Sequence, residues 1–109
     1  MRVPQRGDLL ILDFDPQAGH EQMKRRPALV LSAAAFNAAF GLAFVAPVTS
    51  QPKGHAFEVQ LPRGSRVKGV VMVHQTKSFD WQARHARFAG SAPASVVAAA
   101  VEIIKDIIE

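Results

Sequence analysis

The sequence predicts a mostly β domain with helices, built as a small barrel-like sheet closed by a C-terminal helix. Three observations predict it. Short apolar runs of strand length recur along most of the chain, separated by Gly, Pro, Asp and Ser clusters. Only the final segment carries a sustained helical repeat. The chain has 109 residues with no internal repeat, low-complexity tract or linker-like stretch, which reads as one domain over 1–109.

The elements follow in order. Gly7 and Asp8 precede Leu9, Leu10, Ile11, Leu12, Asp13 and Phe14, a mostly buried strand. Asp15-Pro16 ends it, because proline has no N–H for a ladder. Residues 16–26 carry Gly and many polar groups and read as a long loop. Residues 27–31, PALVL, form a second strand. Ser32 is placed to cap a short helix, AAAFNAAF, with Phe36 and Phe40 on one face, and Gly41 stops it. Residues 42–48 are a third strand, and 49–54, TSQPKG, a loop. Across 56–61, Phe57, Val59 and Leu61 alternate with Glu58 and Gln60, the pattern of a half-exposed strand. Pro62, Arg63, Gly64 and Ser65 turn the chain. Residues 69–73 read as a buried strand and 84–89 as a shorter one. The last helix starts at Ser91 or Ala92, with Pro93 in its first turn. Val97, Val101, Ile104 and Ile108 share one face, and Val96, Ile103 and Ile107 widen that stripe, enough for core packing alone or for a subunit contact as well.

Composition narrows the function classes. Half the residues are apolar, against disorder, and there is no cysteine, so neither a disulfide nor a thiolate zinc site can form. A domain of this size buries roughly two-thirds of its unfolded surface, a thin margin that subunit pairing would widen. The opening MRVPQRGD lacks the apolar core of a signal peptide, and no apolar run is long enough for a bilayer, so the expectation is a cytoplasmic protein. The formal charge is +4 and the pI about 10.1, which favours a polyanionic partner, nucleic acid first. Lys24, Arg25 and Arg26 sit together, and Lys53, Arg63, Arg66, Lys68, Lys77, Arg84 and Arg87 follow. Most acids lie near the two ends, which leaves the middle cationic.

No Gly-rich phosphate loop follows the first strand, and neither a metalloprotease helix motif nor a G-x-S-x-G elbow occurs. His20, His55, His74 and His85 are scattered, so spacing offers no metal site; Asp13 and Asp15 read first as a strand edge or turn cap. The chemically richest stretch is GHEQMKRRP, residues 19–27. It is either a mobile basic loop or a functional one. Pro27 holds the residue before it extended, which aims Arg26 from a defined backbone.

Taken together, GDLLILDFDPQAGHEQMKRRPALVLS, AFNAAFGLAFVAPVTSQPKG, FEVQLP and VKGVVMVHQTKSFDWQAR resemble the MazF/PemK family of toxin–antitoxin ribonucleases, in the same order and with similar gaps. GHEQ and RPALVLS…FN look closest to the ChpB-like members. The resemblance implies an SH3-like small β-barrel and a homodimer. It implies metal-free cleavage of single-stranded RNA at short sequences, with a 2′,3′-cyclic phosphate and a 5′-hydroxyl as products. It places the catalytic roles on Arg26 of the RP motif and Thr49 of the T-x-Q loop, with Glu21 of G-x-EQ beside them. His20 stands where many members have Ser, and is either a general acid, a substrate contact or simply exposed. Lys24, Arg25, Gln51, Lys53, Gln75, Lys77 and Arg84 are the RNA-binding candidates, with the loops 50–55 and 64–68 shaping base choice. Trp81 could stack on a base, or pack in the core or at a subunit contact. The expected inhibitor is an acidic, partly disordered antitoxin similar to MazE or ChpS. The competing reading is a CcdB-like poison of the same fold family, which binds DNA gyrase and cuts nothing.

Overall fold

The computed structural model describes residues 2–15 and 24–109. Its elements are β1 (Asp8–Asp15), β2 (Lys24–Val30), α1 (Ala34–Phe40), β3 (Leu42–Thr49), β4 (Glu58–Gln60), β5 (Val70–Met72), a 3₁₀ turn (Val73–Gln75), β6 (Lys77–Asp80), β7 (Arg87–Ser91) and α2 (Ala94–Ile108). The antiparallel strands run in the order β4-β5-β3-β2-β1-β7, and β6 pairs with β3 beyond β5. This is the predicted mostly-β sheet with a C-terminal helix, and its strand path is open rather than closed.

The sheet is buried on both faces, which is why β1, β2 and β3 read as nearly continuous apolar runs. Strand alternation sends Leu9, Leu29, Ala46, Val48 and Val71 to one face, where Val96 and Ala100 of α2 cover them. It sends Leu10, Leu12, Ala28, Val30 and Val45 to the other, against Phe79 and Trp81. Trp81 is 5% exposed and donates its indole N–H to the carbonyl of Asn37 at 3.2 Å, so it belongs to the core.

Several boundaries differ from the expectation, each for a physical reason. The polar residues 24–26 do not lie in a loop. They open β2, with Arg25 opposite Asp13 and Arg26 opposite Leu12. Ser32 does not cap α1; the N-cap is Ala33, and the Ser32 hydroxyl instead bonds Asn37 and accepts the Phe44 N–H. Phe36 and Phe40 do share a face, 5.1 Å apart, but it points outward: Phe40 is 67% exposed while Asn37 is fully buried. Asn37 donates to the carbonyls of Pro4 at 2.8 Å and Ser32 at 3.2 Å, so α1 is held by a polar plug.

Residues 77–80 form a strand the sequence pattern did not reveal, since only Phe79 among them is buried. Between Val48↔Val71 and Val45↔Lys77, two residues on β3 face five on the opposing side, and the 3₁₀ turn takes up the excess. The strand expected at 84–89 lies at Arg87–Ser91, because 81–86 make a tight turn. α2 begins later than expected: Ser91 still pairs with Asp8, Ala92 donates to the carbonyl of Gly7 at 2.8 Å, and Pro93 is the N-cap. Among the described residues, no helix is long and apolar enough to cross a membrane.

Candidate active site

Continuing the β2–β3 register from Ala28↔Pro47 by two residues sets Arg26 across from Thr49. Both side chains line one cleft of about 490 Å³ with Pro27, Val48, Ser50, Gln51 and Lys68. The arrangement follows from ladder geometry. Arg26, near the start of β2, and Thr49, the last residue of β3, face the same side of adjacent antiparallel strands, just beyond the β2–β3 pairs.

Thr49 is held on two sides. Its Oγ1 accepts the Gln51 N–H at 3.1 Å, which leaves the hydroxyl proton free to donate into the cleft. Behind it, Gly69 has φ +123°, and a Cβ placed there would lie 2.0 Å from the Thr49 carbonyl oxygen. Only glycine permits this approach. The Gly69 carbonyl in turn accepts from the side chain of Gln60 and the backbone of Leu61, both at 3.0 Å.

The loop after Thr49 is tied down by Glu58. Its carboxylate accepts the backbone N–H groups of Lys53 at 2.9 Å and Gly54 at 3.0 Å. These bonds, the one from Lys53 first, hold the Glu58 carboxyl below its usual range, and the nearby His55 and His74 add to the effect. His55 lies 3.6 Å from the carboxylate and edge-on to His74, with ring centroids 4.8 Å apart.

The remaining sequence-predicted residues are placed as follows. Gln51 lines the cleft. Lys53, Gln75 and Lys77 are exposed but do not line it: Lys53 is on the Glu58-anchored loop, Gln75 on the 3₁₀ turn and Lys77 at the start of β6. Arg25 and Arg84 are engaged by other parts of the chain rather than by the cleft. Arg25 pairs with Asp13 at 2.8 Å and donates to the carbonyls of Ile11 and His85. Arg84 donates to the carbonyl of Asp13 at 3.0 Å and lies over the ring of Phe79. Lys24 starts β2, paired with Asp15. His20 and Glu21 lie outside the described residues.

Asp13 is the centre of this second cluster. Its Oδ1 meets Arg25 and its Oδ2 meets the His85 Nδ1 at 2.7 Å, so both oxygens are taken. The bond from His85, then Arg25, lowers its carboxyl against the opposing effect of burial. His85 has φ 55°, the one non-glycine residue in the left-handed region among those described. A strained residue is thus fixed by its side chain to the strand pair that presents Arg26.

Sequence reasoning did not single out Lys68 as a cleft residue, nor Gly69 and Glu58 as the supports of Thr49 and its loop. The available signal was a glycine at the head of a buried strand, which marks a close backbone approach.

A family model described as the PemK-like, MazF-like toxin of type II toxin–antitoxin systems matches residues 5–108. The chain is 45% identical over 89 residues to endoribonuclease toxin MazF of Escherichia coli (strain K12), spanning 82% of this chain and 79% of that protein. It is 39% identical over 111 residues to endoribonuclease toxin ChpB of the same strain, spanning 96% and 94%. A MazE–MazF crystal structure from Deinococcus radiodurans superposes with a TM-score of 0.94 at 47% identity, covering 99% of this chain and 97% of that one.

Proposed function

Because the chain belongs to the PemK-like, MazF-like family of type II toxins, we propose that it is an endoribonuclease that cuts single-stranded RNA at short sequences without a metal. The carrying observation is the shared cleft of Arg26 and Thr49. Among the described residues neither Arg26 nor Lys68 makes an ion pair, and the two cations line the cleft where an anion could meet both.

The ribose 2′-oxygen attacks the adjacent phosphorus as its proton leaves, and the P–O5′ bond breaks as the leaving oxygen takes up a proton. Negative charge gathers on the non-bridging oxygens in the transition state. The Arg26 guanidinium matches these in a bidentate fork and the Thr49 hydroxyl adds a donor. Each donor aimed at developing charge contributes roughly 10²- to 10³-fold in rate. Arginine keeps its proton at neutral pH, so Arg26 acts by electrostatics rather than as a base. Glu21 either orients Arg26 or takes the 2′-hydroxyl proton, and His20 is the candidate acid.

Relatives solved as MazE–MazF complexes support an antitoxin partner, and an acidic tail would suit this basic cleft. The exposed Phe40, Phe44, Ile107 and Ile108 support a homodimer. The test is cleavage of RNA in EDTA, with the new ends mapped. Products with 5′-hydroxyl ends, absent with a folded Arg26→Ala variant, support the proposal. Gyrase inhibition without RNA products would replace it by the CcdB-like reading.

A further inference from the structure

The cleft contains a cation that the sequence placed only within a loop expected to shape base choice. Lys68 lines it beside Thr49, Ser50 and Arg26. Its position is imposed by its neighbour: Gly69 lies so close to the Thr49 carbonyl that no side chain fits between them. The backbone of 68–69 is therefore braced against the start of the Thr49 loop. Two further bonds to the Gly69 carbonyl, from Gln60 and Leu61, fix the segment from the other side.

We propose that Lys68 is a second phosphate-binding residue of this site, holding a backbone phosphate next to the scissile one. The inference rests on the ribonuclease reading above. The geometry separates the two cations. Arg26 is presented from a paired strand, which suits a fork that must match one phosphate. Lys68 is an exposed point charge on a flexible stem, which tolerates a range of positions and suits a flanking phosphate. A cleft of about 490 Å³ is the size of sites that hold a whole small organic ligand, so it has room for more than one phosphate group.

A contact made equally in ground and transition states changes binding and not the chemical step. Lys68→Gln should raise KM on a defined oligonucleotide about 2- to 5-fold at low salt, the effect of one exposed charge contact, and leave kcat unchanged. The slope of log affinity against log salt should become shallower by about 0.7, the contribution of one phosphate on a single strand. Affinity is read on an oligonucleotide carrying 2′-deoxyribose at the attacking position, which binds but cannot be cut. Lys68→Arg should restore both values, and Lys105→Gln, a charge change on α2, should alter neither. Wild-type KM and salt slope in Lys68→Gln would overturn the inference, as would a fall in kcat at constant KM. Retained cleavage in Arg26→Ala and Thr49→Ala would instead overturn the underlying reading, whatever Lys68→Gln does.

Discussion

Gly69→Ala isolates the brace behind Thr49. The added Cβ would sit 2.0 Å from the Thr49 carbonyl oxygen and 2.7 Å from its carbon, with the Ser50 Cα at 3.1 Å. These are backbone atoms, so no rotamer change relieves the clash. Ordinary van der Waals contact begins more than 1 Å farther out, and the start of the Thr49 loop must retreat by about that distance. A misplacement of about 1 Å in a catalytic group costs on the order of 10²-fold in rate. The φ of +123° adds a backbone penalty of roughly 1–3 kcal/mol. For a domain of this size each kcal/mol lowers the melting midpoint by about 4–8 °C. The expectation is therefore a folded protein that melts lower and has kcat reduced about 100-fold, read by continuous cleavage of a fluorogenic RNA. Gly41 supplies the control: it has φ +67° with nothing within 4 Å of an added Cβ, so Gly41→Ala should lower stability and leave kcat alone. If folded Gly69→Ala cleaves within twofold of wild type, the brace does not position Thr49.

Other perturbations probe the supports around the cleft. Asn37→Ala removes a buried amide with bonds to Pro4 and Ser32 and leaves the buried Pro4 carbonyl without its donor; denaturant unfolding should show a loss of about 2–4 kcal/mol, with cleavage per folded molecule unchanged. Glu58 has a folded pKa below its ordinary 4.5, so its stabilisation is complete above about that pH and lost as pH falls through the lowered folded value. Protection of the Lys53 and Gly54 amides, taken relative to intrinsic exchange at each pH, should accordingly fall on acidification, and in Glu58→Gln it should be low at neutral pH already; strong protection there in Glu58→Gln would show that the carboxylate does not anchor the loop. Phe44→Glu should convert a dimer to a monomer in sedimentation, since Phe44 lies in the groove between Phe36 and Ile104; a dimer that survives it would move the interface elsewhere.

Much of this was legible from the sequence because it depends on local rules. The apolar runs of β1, β2 and β3 are read directly, since both faces of the sheet are covered and no polar alternation obscures them. Arg26 and Thr49 were placed by the resemblance of the RP and T-x-Q motifs, and the strand register brings the two side chains into one cleft. What was missed depends on tertiary partners. Residues 24–26 look like a loop until Asp13 is seen opposite Arg25. Ser32 resembles a cap because the helix it precedes gives no hint that Asn37 is the buried residue. Lys68 looks like one surface cation among many, because its neighbour's contact with Thr49 is made across strands and leaves no sequence period.

Arg25 and Arg26 are chemically identical neighbours with opposite tasks, one anchored to Asp13 and the other open to the cleft. A slip of β2 by a single residue would either carry Arg26 to the anchor and leave Pro27 in its place, or carry Arg25 to the cleft and leave Lys24 at the anchor. Composition would be indifferent to that error. Asp13 makes the difference: buried, and satisfied only when Arg25 and His85 arrive together, it acts as a proofreader of strand alignment. Substitutions at Asp13 should therefore loosen that alignment and misplace Arg26, a failure of addressing rather than of chemistry.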